Sequence, residues 1–169
     1  AKQVRQMAGL NLPISPLKHH DLVTESIPTI EAIDFEVPMT VDLEGFTYMR
    51  QWDKGILVGI YEIDHEHWAI DGAPWDFGME LFKEDFDRIE NELALSFERY
   101  PDLKNVGIKN WVNGAFTFSP DGNPLVGPVR GLKNYWLACG VMAGFLQGGG
   151  VGKTLAEWMI FGETEADPW

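Results

Sequence analysis

The chain has little cysteine, few basic residues and no long apolar run. Its one cysteine, Cys139, excludes an internal disulfide and favours a reducing compartment. Only 13 Lys and Arg residues stand against 26 Asp and Glu, and the resulting net charge of −13 disfavours nucleic acids and anionic membranes as partners. The longest nearly uninterrupted apolar stretch, residues 135–146, is too short for a membrane span of about 20 residues.

The apolar residues that are present suffice for a packed core. They make up 45% of the chain, and aromatic residues make up 12%, which distinguishes it from a disordered acidic tail. A chain of roughly 150 residues buries about 68–70% of its unfolded surface, which is enough for one domain. Because no repeat and no Pro/Ser-rich linker divides the sequence, we expect a single unit over residues 1–169.

The hydrophobic pattern predicts a mostly antiparallel α+β fold. Short turns between β-rich runs indicate a meander. Apolar residues spaced by three and four predict an amphipathic helix from Phe86 to Phe97, with its acidic residues, Glu92 among them, on a solvated face. A turn-forming segment is expected at 120–128 and a last helix from about Gly152 to Phe161. The predicted strands cover residues 17–27, 37–43, 45–52, 55–61, 107–118 and 134–139.

A glycine-rich segment leads into the last helix, where amide groups meet the positive end of the helix dipole. It is not a phosphate-binding P-loop, because Gln147 stands where that motif needs its first glycine. It is not a dinucleotide fingerprint either, because Lys153 replaces the third glycine. Two interpretations stay open. The glycines let the helix pack closely on a strand, or the helix terminus faces an electron-rich group other than a pyrophosphate.

Two further groups of residues are expected to be inert. The run Asp64-His65-Glu66-His67 supplies too few ligands for a metal, so we expect a solvated loop and no metal site. Cys139 follows an apolar strand without a partner histidine motif, which indicates a buried thiol and not a nucleophile.

A series of motifs in chain order carries a resemblance. They include KNWVNG, FSPDGNPLVGP, NYWLACG, GGGVG and LAEW, at residues 109–114, 118–128, 134–140, 148–152 and 155–158, and they are preceded by 17–24 and 42–50. Together they resemble the C-terminal portion of the D-amino-acid-oxidase-like FAD oxidoreductases, in particular the dimethylglycine and sarcosine dehydrogenase or oxidase group. The family's N-terminal dinucleotide-binding half is absent. The resemblance therefore implies a C-terminal fragment.

The resemblance also implies an internal division and a cofactor. Residues of about 12–118 would form the substrate-domain sheet and helix, and about 119–169 the flavin-contacting strand-loop-helix. FAD is implied for the complete protein, and we expect this chain alone not to retain it. Backbone amides there would stabilise the negative charge that develops at flavin N1 and the C2 carbonyl. The implied cofactor-binding residues are Pro124, Gly140, Gly144, Phe145, Gly148, Gly149, Gly150 and Gly152.

Three residues are implied to act on the substrate. His19 and Tyr48 match positions beside the amine, where an imidazole and a phenol would favour its unprotonated, reactive form. Arg50 could pair with a substrate carboxylate. The alternatives are a solvated strand-edge histidine, a half-buried sheet aromatic and a structural ion pair. His20 is expected on the opposite face of its strand, away from this site.

The function implied is oxidation of an N-methyl amine such as dimethylglycine or sarcosine by hydride transfer to flavin, with the fragment inactive alone. The alternative is a non-catalytic binding or subunit-assembly module. The implied partners are the amine, the missing N-terminal FAD-binding half and a folate-binding module after residues 167–169, and the isolated chain would self-associate through exposed apolar surface. The expected location is the cytoplasm, or the mitochondrial matrix in a eukaryote.

Overall fold

The structure is a computed structural model that describes residues 2–166. These residues form two compact units, one made of 2–17, 67–76 and 116–166 and the other of 18–66 and 77–115. Helices are mixed with antiparallel strands, which confirms the α+β prediction. A single domain with a division near residue 118 stays a prediction, and the end of the chain where a folate-binding module is expected to follow, residues 167–169, lies outside the described residues.

The described residues contain four α-helices and seven strands. The helices are α1 (Lys2–Met7), α2 (Pro28–Glu31), α3 (Phe86–Arg99) and α4 (Gly144–Phe161). The strands are β1 (Ser15–Thr24), β2 (Thr40–Asp42), β3 (Thr47–Trp52), β4 (Gly55–Ile60), β5 (Ile108–Phe118), β6 (Leu125–Pro128) and β7 (Trp136–Cys139). A five-stranded sheet has the order β2-β3-β4-β1-β5, and β6 and β7 form a separate hairpin.

The meander predicted from the short turns is present in the five-stranded sheet. β3 and β4 pair antiparallel from Thr47 with Ile60 to Trp52 with Gly55. The turn between them is two residues long, and Asp53 adopts a positive φ of 56°, which aspartate tolerates better than most residues. β4 pairs on its other side with β1. Strand β4 therefore separates β1 from β3.

The core of this unit lies between the sheet and α3. It is built around five buried residues, Leu22, Ile27, Ile56, Val58 and Leu103, with Leu93 and Phe97 of α3 packed against them. The amphipathic helix predicted from residue spacing is thus confirmed. One part of that prediction is wrong, because Glu92 is buried and accepts a hydrogen bond from the Ile63 amide at 2.9 Å. A buried carboxylate needs a donor, and this amide provides one.

The other unit corrects two expectations. Residues 125–128, predicted as part of a turn, form strand β6 and pair with β7 from Leu125 with Cys139 to Pro128 with Trp136. The last helix begins at Gly144 and not at about Gly152. Glycine costs a helix about 1 kcal/mol per residue, so a glycine run is typical of a helix end. Here the helix continues through the run.

Helix α4 has a start and an end of different kinds. The Leu146 and Gln147 amides both donate to the Ala143 carbonyl and close the first turn. Trp158, three residues before the end, packs edge-on against Trp136 of β7 with ring centroids 6.3 Å apart. Gly162 ends the helix in the left-handed conformation, with φ of 79°. Among residues 2–166, no helix is both long and apolar enough to cross a membrane.

Candidate functional site

His19 and Tyr48 lie in contact on the five-stranded sheet. The His19 Nε2 atom is 3.2 Å from the Tyr48 hydroxyl oxygen, and the two rings stack at a centroid distance of 6.3 Å. Tyr48 on β3 and Asp21 on β1 are both level with Gly59 of the strand between them. The tyrosine ring crosses β4 over the bare Cα of Gly59 and reaches β1. The structure therefore brings the two predicted catalytic residues together.

Two carboxylates flank this pair. The Tyr48 hydroxyl donates to Asp21 Oδ1 at 2.7 Å, and Nδ1 of His19 lies 2.9 Å from Glu62 Oε2. Glu62 lies two residues after the end of β4, and the residue is only 5% exposed. The four side chains make one hydrogen-bonded row, Glu62–His19–Tyr48–Asp21.

The environment of this row sets the charge of two members. Burial alone would raise the pKa of the Glu62 carboxyl, but hydrogen bonds from His19 and His20 outweigh burial and lower that pKa to about 2. Burial, together with the charge and hydrogen bond of Asp21, raises the pKa of the Tyr48 phenol well above its usual value. At neutral pH Glu62 is a carboxylate, and Tyr48 keeps its proton.

His20, which the sequence analysis placed away from this site, is surrounded by polar groups. Its side chain is fully buried, and its Nδ1 lies 3.0 Å from Glu62 Oε1. The Asp85 amide donates to its Nε2 at 3.3 Å, and an Arg88 guanidinium nitrogen lies 3.1 Å from Nδ1. Sequence reasoning missed Glu62, Asp85 and Arg88.

One sequence signal could have identified Glu62. Val58 and Ile60 are fully buried alternate residues of β4, and Glu62 is the next in that alternation. A period of two that continues onto a carboxylate indicates a buried charge, and a buried charge requires partners.

Arg50 does not join His19 and Tyr48 in this structure. Its guanidinium lies over the Trp52 ring, 4.5 Å from the ring centroid, and the residue is exposed. This stacking is a cation–π interaction, which arginine forms more often than lysine does. Within residues 2–166, Arg50 stacks on Trp52 and does not form the ion pair that was considered as its alternative role.

The second candidate region is a groove of about 750 Å³ in the unit that contains α4. Its volume falls in the range of small-molecule sites. Pro124 lies on its wall, together with Gly150, Thr154 and Trp158 of the helix. Gln147 lines the same groove, and its amide oxygen is buried and has no hydrogen-bond partner among residues 2–166. An N–H group of a ligand would satisfy it.

The glycines implied to bind the cofactor have two different settings. Gly148, Gly149, Gly150 and Gly152 lie inside α4, where amides donate to carbonyls four residues earlier. The expectation that they form an amide-lined loop before the helix is therefore wrong. Apart from its chain neighbours and the nearby helix backbone, a Cβ at any of these four glycines would meet no atom of residues 2–166 within 4 Å.

Three implied residues do lie at or before the start of α4. Gly144 and Phe145 are in its first turn, where helix amides lack intrahelical partners, and Phe145 is fully exposed. Gly140 is buried and has a positive φ of 66°. A Cβ built on it would lie 3.5 Å from Ile14 Cγ2. The amides at the start of the helix are therefore those of residues 140–145. The helix begins at Gly144, eight residues earlier than the expected start at about Gly152.

The remaining motifs have structural partners. His67 Nδ1 lies 2.9 Å from the Ser15 hydroxyl, and Glu66 pairs with Lys18. Lys153, the lysine of the near-miss P-loop, pairs with Glu157 at 2.7 Å and with Glu165 at 2.5 Å. Within residues 2–166, no cluster of three or more His, Cys, Asp or Glu side chains is arranged to hold a metal ion. Burial raises the pKa of the Cys139 thiol, which lowers its reactivity.

Known proteins with similar sequences include dehydrogenases and a regulatory subunit. Mitochondrial dimethylglycine dehydrogenase of Mus musculus is 43% identical over 172 residues, and mitochondrial sarcosine dehydrogenase of the same species is 34% identical over 168. Both alignments cover 99% of this chain but only 20% and 18% of those proteins. The mitochondrial pyruvate dehydrogenase phosphatase regulatory subunit of Mus musculus is 32% identical over 95% of this chain and 18% of its own length. The chain thus spans about a fifth of the length of these curated relatives.

A solved structure and a family profile agree with these relatives. L-proline dehydrogenase from P. horikoshii superposes with a TM-score of 0.72 at 26% identity, covering 95% of this chain and 40% of that one. The family profile described as DAO, FAD dependent oxidoreductase, matches residues 1–158. This match extends over nearly the whole chain, which therefore belongs to the DAO family of FAD dependent oxidoreductases.

Proposed function

We propose that the protein containing this chain oxidises a small N-methyl amine, such as dimethylglycine or sarcosine, with FAD as the hydride acceptor. FAD is the cofactor of the family to which the chain belongs, and the two enzymes compared above carry these amines in their names. The observation that carries the proposal is the contact between His19 Nε2 and the Tyr48 hydroxyl. It places a proton acceptor and a hydrogen-bonding phenol side by side on one sheet.

The hydrogen bonds around His19 favour removal of a proton from the amine. Tyr48 donates its only proton to Asp21, so its oxygen faces His19 as an acceptor. If Nε2 of His19 is unprotonated, its lone pair faces a lone pair of the Tyr48 oxygen, and the two atoms repel each other. When Nε2 takes the proton of a substrate ammonium, every member of the row has a donor matched to an acceptor. The amine left behind has the free electron pair that departure of hydride from its methyl carbon requires.

The electrostatics of the row also favour a cationic substrate. Glu62 and Asp21 are carboxylates on either side of the His19–Tyr48 pair, and Asp21 Oδ1 is 3.9 Å from His19 Nε2. Negative groups close to a half-buried site attract a protonated amine. We propose that Arg50 releases Trp52 to pair with the substrate carboxylate, since a guanidinium binds a carboxylate through two parallel hydrogen bonds.

The unit containing α4 has features that fit an isoalloxazine. The buried Gln147 oxygen has no donor within the described part of the chain, and the groove that Gln147 lines also contains Pro124 and Gly150. We propose that these residues hold the flavin ring, with the Gly144 and Phe145 amides directed at its electron-accepting edge. FAD, when bound, supplies acceptance of the hydride. The substrate becomes an iminium that is hydrolysed or captured by a folate bound to a further module.

A pair of histidine variants in the full-length, FAD-containing protein tests this function. His19→Gln removes the proton acceptor, and we expect the rate of anaerobic flavin reduction by sarcosine or dimethylglycine to fall by about 10²–10⁴-fold. The control, His65→Gln, changes an exposed loop histidine and should leave the rate unchanged. Equal rates in the two variants, or no flavin reduction by either amine in the unaltered protein, would contradict the proposal.

The second candidate function is a non-catalytic binding or assembly module, which the similarity to a regulatory subunit favours. The two functions separate by flavin titration of the full-length protein. A catalytic protein binds FAD and is reduced by amine, whereas a binding module is not reduced by amine.

We expect the 169-residue chain alone to be inactive, since it contains no strand–G-x-G-x-x-G–helix, and to associate with itself. The cytoplasm, or the mitochondrial matrix in a eukaryote, is the location we propose.

A further inference from the structure

We propose that Glu62 is a positioning residue for His19, whose Nδ1 proton it holds in place so that Nε2 is the nitrogen that exchanges a proton with the amine. This inference rests on the proposed function and assigns a role to a residue outside the sequence motifs. It depends on a count of donors and acceptors around three buried or nearly buried side chains.

The count begins at His20. The Asp85 amide donates to Nε2 of His20, so that nitrogen carries a lone pair. Nδ1 of His20 faces two groups, because an Arg88 guanidinium nitrogen, which only donates, lies 3.1 Å away. This Nδ1 lies 3.0 Å from Glu62 Oε1, and the His20 backbone amide donates to the same oxygen at 2.6 Å. The His20 backbone amide therefore occupies Oε1 of Glu62 as a donor.

The other oxygen of Glu62 is left for His19. Glu62 Oε2 is 2.9 Å from His19 Nδ1. An ionised carboxylate only accepts, so Nδ1 must carry a proton whether or not Nε2 is protonated. The nitrogen next to Tyr48, and not the one next to Glu62, is left to gain and lose a proton.

The surroundings keep Glu62 charged and immobile. The Arg88 guanidinium is itself nearly buried and lies 4.0 Å from Glu62 Oε1. Its positive charge stabilises the ionised form of Glu62. Asp85 and Arg88 both belong to the start of the α3 region, with Arg88 Nε 3.5 Å from Asp85 Oδ2. His20 thus connects the carboxylate to the amino-terminal end of the long helix, and the orientation of His19 depends on that packing.

The variant Glu62→Gln would change the tautomer of His19. The His20 backbone amide requires an acceptor at the Oε1 position, so the glutamine oxygen would take that place. Its amide nitrogen would then face His19 Nδ1 as a donor. Nδ1 could no longer keep its proton there, and the neutral ring would carry the proton on Nε2, where it blocks acceptance of the amine proton.

Histidine ring ¹⁵N NMR tests this directly, without flavin or amine. In the unaltered chain we expect neutral His19, assigned by the loss of its signals in His19→Gln, to be protonated on Nδ1. In Glu62→Gln we expect the proton on Nε2. The matched control, Glu92→Gln, removes another buried carboxylate of the same unit that accepts a backbone amide, and should leave the tautomer as it was. An Nε2 proton in the unaltered chain, or an unchanged tautomer in Glu62→Gln, would overturn the proposal.

Two further results complete the test. If Glu62→Gln does not fold, the tautomer of the unaltered chain decides by itself, Nδ1–H supporting the role and Nε2–H refuting it. In the full-length flavoprotein, Glu62→Gln should slow flavin reduction by the amine about 10²-fold, while Glu92→Gln should not. Absence of amine oxidation in the unaltered protein would refute the proposed function but leave the tautomer assignment standing.

Discussion

The Tyr48 ring occupies the space in which Gly59 would carry a side chain. A Cβ built at Gly59 would lie far closer to the Cζ and hydroxyl oxygen of Tyr48 than the 3.0 Å at which real Cβ contacts effectively end. Strand β4 thus has a gap through which a residue of β3 reaches Asp21 on β1. The absence of a side chain at one position lets a contact form across three strands.

The variant Gly59→Ala should therefore displace Tyr48 and break its hydrogen bond to Asp21. Overpacking of this kind costs about 1–3 kcal/mol in the free energy of unfolding, which urea titration would measure. Gly114→Ala is the matched control, because a Cβ at this β5 glycine would meet Leu81 at an ordinary 3.7 Å. Equal stabilities of the two variants would contradict the role assigned to Gly59.

Glu62 should make the chain sensitive to acid. Its pKa falls from 4.5 to about 2 on folding, so between these values the unfolded chain binds a proton that the folded chain does not. The free energy of unfolding then decreases as the pH falls from about 5 towards 2, by up to about 1.4 kcal/mol per pH unit from this one group. Glu62→Gln should show a shallower dependence over that window. The same slope in both proteins would be inconsistent with a depressed pKa.

Tyr48 should resist ionisation at alkaline pH. Burial and the neighbouring Asp21 raise its pKa in the folded state, so the stability it contributes is complete below about pH 10 and is lost as the pH rises above the unfolded value. In the folded chain, Tyr48→Phe should leave the phenolate absorbance gained up to pH 11 unchanged. In urea, the same variant should lose the signal of one tyrosine. A loss of that signal under folding conditions would show that Tyr48 ionises normally.

The glycine run of α4 should tolerate alanine in the isolated chain. A Cβ at Gly149 meets nothing within 4 Å, and alanine has the higher helix propensity, so Gly149→Ala should stabilise the chain by about 0.5–1 kcal/mol. Gly127→Ala is the contrasting variant, since Gly127 has a φ of 128° and a Cβ there would lie 2.7 Å from Trp158. It should destabilise the chain. If Gly149→Ala also destabilised it, the run would not be helical.

In the full-length protein, Gly149→Ala should be harmful if Gly149, one of the glycines implied to bind the cofactor, contacts FAD. Alanine would then stabilise the isolated chain and weaken FAD retention in the complete protein. Comparing the two measurements separates a glycine kept for close approach of another group from one that only tolerates helical geometry.

Residue patterns alone predicted much of the secondary structure. The β-rich runs at 45–52 and 55–61, the short turn between them and the three-four spacing of α3 are local signals, and each led to the observed element. Local signals failed at α4 because the propensity of four glycines opposes a helix. The helix packs through contacts between residues distant in sequence, such as Trp158 with Trp136 of β7, which a local pattern does not contain.

The sequence by itself determined the α+β class, the family and the candidacy of His19 and Tyr48, because motif order and short-range periodicity are contained in neighbouring residues. Only the tertiary structure decided that Gly59 admits the tyrosine ring, that Arg50 lies on Trp52, and that Glu62 bridges His19 and His20. These depend on strand register and on the matching of buried donors with acceptors between residues about 40 positions apart. Such pairings arise only when the sheet has formed.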